Sequence, residues 1–178
     1  TIVSNYLSKY NSQPIISPIF RFKQKKKVLI VDQSFGDNSI RFGGCGPTTF
    51  KEMLYAAQKE NPDCEIVIKT HPDTNCPGRT GFYSKIVSHG NVTILTDPVN
   101  PIALLQLVDK VYVCTSQLGM EALFCGKEVH VFGRPFYSGW GLTNDRQPIE
   151  RRYRTRTLEE FFYITYFIYS HYLSPFKK

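Results

Sequence analysis

Short apolar runs that alternate with segments of helical spacing constrain the fold of this 178-residue chain more than any other feature. The apolar runs, which predict strands, are residues 28–31, 65–70, 92–95, 110–114 and 128–132. The segments between them predict helices at residues 47–61, 81–88, 101–108 and 117–125. Strands that alternate with helices in this way form parallel sheets, so we expect an α/β fold with a doubly wound sheet of about five strands flanked by helices.

Length and composition predict one domain with a core of its own. The chain has 178 residues and is 42% hydrophobic, which is enough for a single core and too little for two sizeable ones. We expect residues 1–25 to be a lead-in segment, either a short helix or an irregular stretch, ahead of a domain over residues 26–178.

Two aromatic segments follow the last predicted strand. Residues 134–143 are rich in glycine and aromatic residues and hold the only tryptophan, so we expect them to fold over the carboxyl edge of the sheet or to pack against a partner. Thr157 and Glu160 have the spacing of a capping box and predict a closing helix over residues 157–172. Because aromatic side chains surround this helix, it should be buried on more than one side or meet something outside the chain.

The charge balance favours an anionic partner. The net charge is +7, from 22 Lys and Arg against 15 Asp and Glu, which suits a nucleotide, a phospholipid surface or nucleic acid. Much of the excess lies in residues 21–27 and 146–156 and does not form an evenly spread basic face. Nucleic acid is therefore the weakest of the three candidates, and we expect none to bind.

Cysteine usage and hydropathy point to a reducing compartment. The chain has 5 cysteines, an odd number without a CxxC pair, which argues against a disulfide framework and against a zinc site. Residues 1–20 lack the basic start and apolar run of a signal peptide, and no run of about 18 apolar residues could span a bilayer. We expect a cytoplasmic protein, either free or peripheral to a membrane.

The second predicted strand ends on a set of polar residues that suits a phosphate. Residues 66–68 are β-branched and apolar, and Lys69, Thr70, His71 and Pro72 follow at the carboxyl end. Proline cannot extend the strand and keeps the preceding backbone extended, which places the imidazole at the edge where ligands bind in parallel sheets. A cation, a hydroxyl and a titratable ring can neutralise a departing phosphate and protonate it. The alternative is an ordinary strand end with solvated polar side chains.

Two further loops are expected at the same edge. Thr115 and Ser116 precede a predicted helix, where free N–H groups and hydroxyls can hold a phosphate, although Ser116 could also be a simple N-cap. Asp32 and Asp37 supply the carboxylates of the first loop, where one could act as a general base or attack an anomeric carbon. The alternative for Asp37 is a turn-forming aspartate. Glu121 could face a ribose or simply solvent.

Four motifs in order resemble one bacterial family. Residues 33–37, 69–73, 115–122 and 136–143 are similar to the capsule polysaccharide biosynthesis and export proteins of the KpsC and LipA type, over roughly residues 26–175. The resemblance implies a Rossmann-like domain that corresponds to the C-terminal, donor-binding half of a GT-B glycosyltransferase. It also implies a retaining β-Kdo transferase that uses CMP-Kdo and builds the Kdo linker on a lipid-linked Kdo or phospholipid acceptor.

The resemblance also implies roles for individual residues. Asp37 would be the nucleophile that attacks the sugar, and His71 would contact the CMP phosphate and aid its departure. Ser116 would grip the same phosphate. The donor-binding set would be Gln33, Lys69, Thr115, Ser116 and Glu121. No metal and no cofactor beyond the donor substrate is expected.

Size is the departure from the family pattern. Such enzymes are built from two facing Rossmann-like halves, and this chain is expected to supply only the nucleotide-binding half, so that another half must supply the acceptor site. Transfer by this chain alone is therefore in question. The alternatives are a non-catalytic CMP-sugar-binding or assembly subunit of the capsule export machinery, and an enzyme similar to nucleotide-sugar epimerases.

Overall fold

The computed structural model describes residues 2–15, 20–22, 24–72 and 78–171. The strands within these residues are β1 Lys27–Val31, β2 Glu65–Lys69, β3 Val92–Leu95, β4 Lys110–Val113, β5 Glu128–Val131 and β6 Asn144–Asp145. The α-helices are α1 Asn38–Phe42, α2 Pro47–Glu60, α3 Pro101–Gln106, α4 Leu118–Phe124 and α5 Leu158–Tyr163, and α5 continues into a π-helical segment, Ile164–Tyr169. Asp73 of the quoted motif, Cys76 and Tyr172 of the predicted closing helix lie outside the described residues.

All of these strands are parallel and form one sheet in the order β3-β2-β1-β4-β5-β6. In the centre, Leu29 of β1 pairs with Val67 of β2 on one side and with Val111 of β4 on the other. The predicted Rossmann-like sheet flanked by helices is thus confirmed. The chain reverses its direction of travel across the sheet between β1 and β4, and such a switch point opens a crevice for ligands at the carboxyl ends of the strands.

Apolar layers cover both faces of the sheet. Successive side chains of a strand point to opposite faces, so Leu29 and Val31 pack with α3 and α4 while Val28 and Ile30 pack with α2. Burial on both sides explains why the strands are continuous apolar runs in the sequence. The sixth strand was not predicted, because Asn144 and Asp145 are polar and gain strand geometry only by pairing with β5.

Residues 82–85 form turns and residues 86–88 have no regular secondary structure, so the helix predicted over residues 81–88 is wrong. The N–H groups of Phe82 and Tyr83 donate to the carboxylate of Asp32, at 3.0 and 3.4 Å. The buried Tyr83 side chain reaches under α2, where its hydroxyl donates to the Phe50 carbonyl at 2.6 Å. A side chain on Gly81 would collide with Asp32. Contacts with residues distant in the sequence therefore override the local helical spacing.

The polar loop expected after β1 contains a helix. The Asp37 carboxylate accepts the N–H of Ser39 at 2.8 Å and so caps α1. Ile40 is buried and anchors this short helix to the core. One helix cap and one apolar anchor thus order this part of the loop.

The closing helix begins as predicted and then changes its geometry. Thr157 and Glu160 form the capping box of α5, and Phe161 is buried against the core. Tyr163, Phe167 and Tyr169 are exposed, so burial on more than one side is wrong for the described part of this helix. Within the described residues, no helix combines the length and the apolar character needed to cross a bilayer.

Candidate functional site

A cavity of about 510 Å³ opens at the carboxyl ends of β1, β2 and β4. The predicted site residues that line it are Gln33, Asp37, Lys69, His71, Thr115, Ser116 and Glu121. The structure therefore brings every one of these side chains to a single cavity at the switch point of the sheet. Their surroundings differ, and those surroundings indicate what each can do.

Gln33 ties two of the loops together. Its side-chain nitrogen donates to the Thr115 hydroxyl at 3.0 Å, and its side-chain oxygen accepts the Thr115 N–H at 3.0 Å. The hydroxyl of Ser39 lies 3.1 Å from that of Thr115. Gln33 is buried, so this pair fixes the loop after β1 against the loop after β4 and sets the spacing of the cavity walls.

The two aspartates of the first loop have separate environments. Asp32 is 1% exposed and accepts the N–H groups of Gln33, Phe82 and Tyr83, while burial raises the pKa of its carboxyl to about 6. Asp37 is exposed at the cavity rim and engages one neighbouring N–H as the cap of α1. Asp32 also lines the cavity, but its oxygens hold the backbone, whereas Asp37 lies at the rim, beside the space where a ligand would lie.

The end of β2 presents a cation and an imidazole to the cavity. Lys69 donates to the Thr70 carbonyl at 3.1 Å, and burial lowers the pKa of its ammonium to about 8 despite the opposing charge of Asp97. For His71, Nδ1 lies 3.2 Å from the Ser34 hydroxyl and Nε2 lies 3.2 Å from the Tyr10 hydroxyl. A bound anion would favour the charged form of the lysine, because an opposite charge nearby stabilises an ammonium.

The loop before α4 presents Ser116. Its hydroxyl accepts the N–H of Leu118 at 3.3 Å, and its carbonyl accepts the hydroxyl of the buried Tyr137. A side chain at Gly119 would collide with the Tyr137 ring, so glycine is required at that point of α4. The segment at residues 134–143 thus folds over the carboxyl edge, as expected, and Phe136 lines the cavity.

Glu121 does not face solvent. It is 5% exposed and accepts the Ser8 hydroxyl at 2.9 Å and the Lys9 N–H at 3.2 Å. Burial raises the pKa of its carboxyl, against the effect of these hydrogen bonds. The solvent-facing alternative for Glu121 is therefore wrong, and its partners come from the lead-in segment.

The sequence did not identify the contribution of the lead-in segment. Lys9, Tyr10 and Gln13 line the cavity beside His71 and Glu121. These residues lie in an irregular stretch without strand or helix periodicity, so nothing in a single sequence marks them as cavity residues. The nearest hint is the combination of Lys9 and Tyr10, a cation beside an aromatic hydroxyl, in a chain expected to bind an anion.

Fold and cavity together define a Rossmann-like domain with a cavity at the carboxyl edge of its parallel sheet. The family model for "Capsule polysaccharide biosynthesis protein" matches residues 3–173. This chain therefore belongs to the capsule polysaccharide biosynthesis protein family, and the resemblance to proteins of the KpsC and LipA type is confirmed.

The proteins that this chain resembles are longer than the chain itself. The capsule polysaccharide modification protein LipA of Neisseria meningitidis serogroup B is 44% identical over 183 residues, which cover 98% of this chain and 26% of LipA. Among solved structures, the KpsC β-Kdo 2,4 transferase of Thermosulfurimonas dismutans has a TM-score of 0.84 at 41% identity, over 90% of this chain and 50% of that one. The KpsC β-Kdo 2,7 transferase of the same organism has a TM-score of 0.61 at 31% identity, over 89% and 48%. The chain thus spans about a quarter of LipA and half of each transferase chain.

Proposed function

We propose that this chain is the donor-binding half of a retaining Kdo glycosyltransferase that uses CMP-Kdo. The observation that carries the proposal is the convergence of a carboxylate, a lysine, a histidine and two hydroxyl side chains on one cavity at the switch point of the sheet. The similarity to two solved Kdo transferases supports the choice of sugar. CMP-Kdo enters as the substrate, and no metal or further cofactor is invoked.

The phosphate of the donor would bind at the ends of β2 and β4. Lys69 supplies positive charge, Ser116 supplies a hydroxyl, and the imidazole of His71, which lies on the cavity wall, can donate a hydrogen bond. Thr115 and Gln33 hold this wall in place through their mutual hydrogen bonds. As the sugar bond breaks, charge accumulates on the departing phosphate, and His71 can stabilise it or transfer a proton to it.

Transfer with retention requires two displacements at the anomeric carbon. In the first, an oxygen of Asp37 bonds to that carbon, the bond to the CMP phosphate breaks, and its electron pair leaves with CMP. In the second, an acceptor hydroxyl attacks the same carbon, loses its proton to a base, and releases the Asp37 carboxylate. Two inversions give net retention. Asp37 is suited to this role because it is exposed at the rim, whereas Asp32 is enclosed.

Binding of the acceptor would require a second half-domain in addition to this chain. We propose lipid-linked Kdo or a phospholipid at the inner membrane as the acceptor, bound by a second half-domain, with the capsule export machinery as the neighbouring assembly. A second candidate is a CMP-sugar-binding or assembly subunit without transfer activity. In such a subunit the same cavity at the carboxyl edge of the sheet would bind the CMP-sugar.

Calorimetric titration with CMP tests the donor site. We expect His71→Ala to weaken CMP binding about tenfold to a hundredfold, because a hydrogen bond to a charged group contributes about 1.5–3 kcal/mol. His89→Ala is the matched control, since His89 is exposed and lies outside the cavity, and it should bind CMP as the wild type does. Equal affinity in both variants would remove His71 from the phosphate site, and a preference for UDP over CMP would contradict the proposed donor.

Mass spectrometry after incubation with CMP-Kdo tests the nucleophile. The protein joined to its acceptor half should gain the mass of one Kdo residue on the peptide that contains Asp37, and Asp37→Ala should abolish the gain. CMP binding without adduct or transfer in this two-half protein would favour the assembly subunit over the enzyme.

A further inference from the structure

The lead-in segment crosses the cavity as a fixed strap, which we define as residues 6–14. Both of its ends are held by the buried residue Asn100, whose side-chain nitrogen donates to the Tyr6 carbonyl at 3.0 Å and whose N–H donates to the Pro14 carbonyl at 2.8 Å. The same Asn100 caps α3, so the strap is attached to the start of that helix. Held at both ends, the segment forms one wall of the cavity.

The middle of the strap is held by Glu121 of α4. One carboxylate oxygen accepts both the Ser8 hydroxyl and the Lys9 N–H, at 2.9 and 3.2 Å. The Ser8 hydroxyl in turn lies 3.3 Å from the N–H of Tyr10 and can accept it. Since Glu121 is buried, loss of its oxygen would leave these donors without their partner inside the protein. Glu121 thus fixes the backbone position of Tyr10.

Tyr10 reaches from the strap to His71. Its hydroxyl lies 3.2 Å from Nε2, and the two rings meet edge to face with centroids 6.1 Å apart. The Ser34 hydroxyl lies 3.2 Å from Nδ1 on the other side of the ring. Tyr10 and Ser34 therefore hold the imidazole between two hydroxyls, and the orientation of the ring in the cavity depends on both.

We propose that Tyr10 is a positioning residue of the donor site, which orients the imidazole of His71, and that Glu121 acts through the strap to place Tyr10. The role in donor binding rests on the proposed function, whereas the contact between Tyr10 and His71 does not. Glu121, expected from the sequence to contact the donor, is assigned here to the strap. A histidine that must face a phosphate gains affinity when its ring is already oriented, because less freedom is lost on binding.

Nuclear magnetic resonance of the His71 ring tests the positioning without any ligand. In the full chain with ¹⁵N-labelled histidine, Tyr10→Phe should shift the Nε2 resonance of His71 and change the ratio of the two tautomers. Tyr6→Phe is the matched control, since it removes another hydroxyl of the strap that contacts Gln106 instead. A His71 spectrum in Tyr10→Phe that matches the wild type would overturn the proposal.

Variants of Glu121 test whether this residue places Tyr10 through the strap. Glu121→Leu removes the oxygen that holds the strap and should change the His71 spectrum in the same direction as Tyr10→Phe, whereas Glu121→Gln keeps an accepting oxygen and should restore it. Ser8→Ala gives the same test if the leucine variant does not fold, because it removes the hydroxyl between Glu121 and Tyr10. Wild-type His71 spectra in both Glu121→Leu and Ser8→Ala would overturn the role of the strap.

Titration with CMP connects the positioning to the proposed function. We expect Tyr10→Phe to weaken CMP binding about threefold to tenfold, the range for loss of one neutral hydrogen bond. If the wild type binds no CMP while Tyr10→Phe still shifts the His71 resonances, the proposed donor fails and the positioning stands. If His71→Ala loses CMP while Tyr10→Phe keeps both wild-type affinity and wild-type resonances, the positioning fails and the donor site stands.

Discussion

His71 and His130 lie in opposite kinds of surroundings, although both have a hydrogen-bonding group near each ring nitrogen. His71 stands at the end of a strand, and its neighbours Tyr10 and Ser34 leave it on the wall of an open cavity. His130 lies within β5, is buried, and stacks on Tyr112 at a centroid distance of 4.4 Å. The same side chain therefore serves a potential ligand in one region and the framework in the other.

The second region is a polar group that we call the His130 cluster: Glu60, Tyr112, Glu128, His130 and Arg146. Glu128 lies 2.7 Å from Nε2 and Arg146 lies 3.0 Å from Nδ1, while Glu60 accepts both the Tyr112 hydroxyl and Arg146 at 2.7 Å. These contacts join the end of α2 to β4, to β5 and to the segment after β6. Polar side chains that bind one another in this way stabilise the fold, whereas those that line empty space can exchange partners for a ligand.

The largest expected effect on stability comes from Asp32. This residue lines the cavity, but its oxygens bind groups of the protein, as the side chains of the His130 cluster do. Asp32→Ala should lower the free energy of unfolding by at least about 3 kcal/mol, because a buried N–H without a partner costs about 1–3 kcal/mol and three such groups lose theirs. Urea unfolding measures this loss. Asp32→Asn is the control. It keeps one accepting oxygen, so its free energy of unfolding should lie between those of the wild type and Asp32→Ala. A stable Asp32→Ala would mean that Asp32 belongs with the ligand-facing group.

Most of the fold could be predicted because its determinants are local. The strands are continuous apolar runs, α2 starts at a proline, and α5 starts at a capping box. The failures lie where distant residues decide. Residues 81–88 do not form a helix because Asp32 accepts the N–H groups of Phe82 and Tyr83, and β6 exists because β5 offers it an edge. No property of these segments taken alone contains that information.

Only the wall of the cavity that the strand ends form could be predicted from the sequence. Residues at strand ends of a parallel sheet must share an edge, so the convergence of Asp37, His71 and Ser116 follows from topology. The strap carries no periodic signal, and its place over the cavity depends on Asn100 and Glu121, far along the chain. The catalytic and binding roles of these residues remain predictions.

A smaller effect on stability is expected from substitution of Asp37. The difference from Asp32 would distinguish an aspartate that faces the cavity from one that holds the backbone. Asp37→Ala removes the cap of α1 and should lower the free energy of unfolding by about 1 kcal/mol, the usual cost of such a loss. Asp37→Ser keeps a capping oxygen and should recover most of that stability without restoring the sugar adduct. The same urea measurement applies, and a loss as large as that of Asp32→Ala would contradict the separation of the pair.

The smallest effect concerns pH and the His130 cluster. Burial lowers the pKa of His130 below its ordinary value of 6.5, and the charge of Arg146 adds to this, against the effect of Glu128 and Glu60. Below about pH 6.5 the unfolded chain therefore binds a proton that the folded chain excludes, so the free energy of unfolding should decrease as pH falls from that value towards the lowered pKa. His130→Gln removes this proton uptake, and its stability should decrease less than that of the wild type between neutral pH and mildly acidic pH. Parallel pH profiles for the two proteins, measured by urea unfolding, would mean that His130 accepts a proton within the folded cluster and that its surroundings resemble those of an exposed histidine.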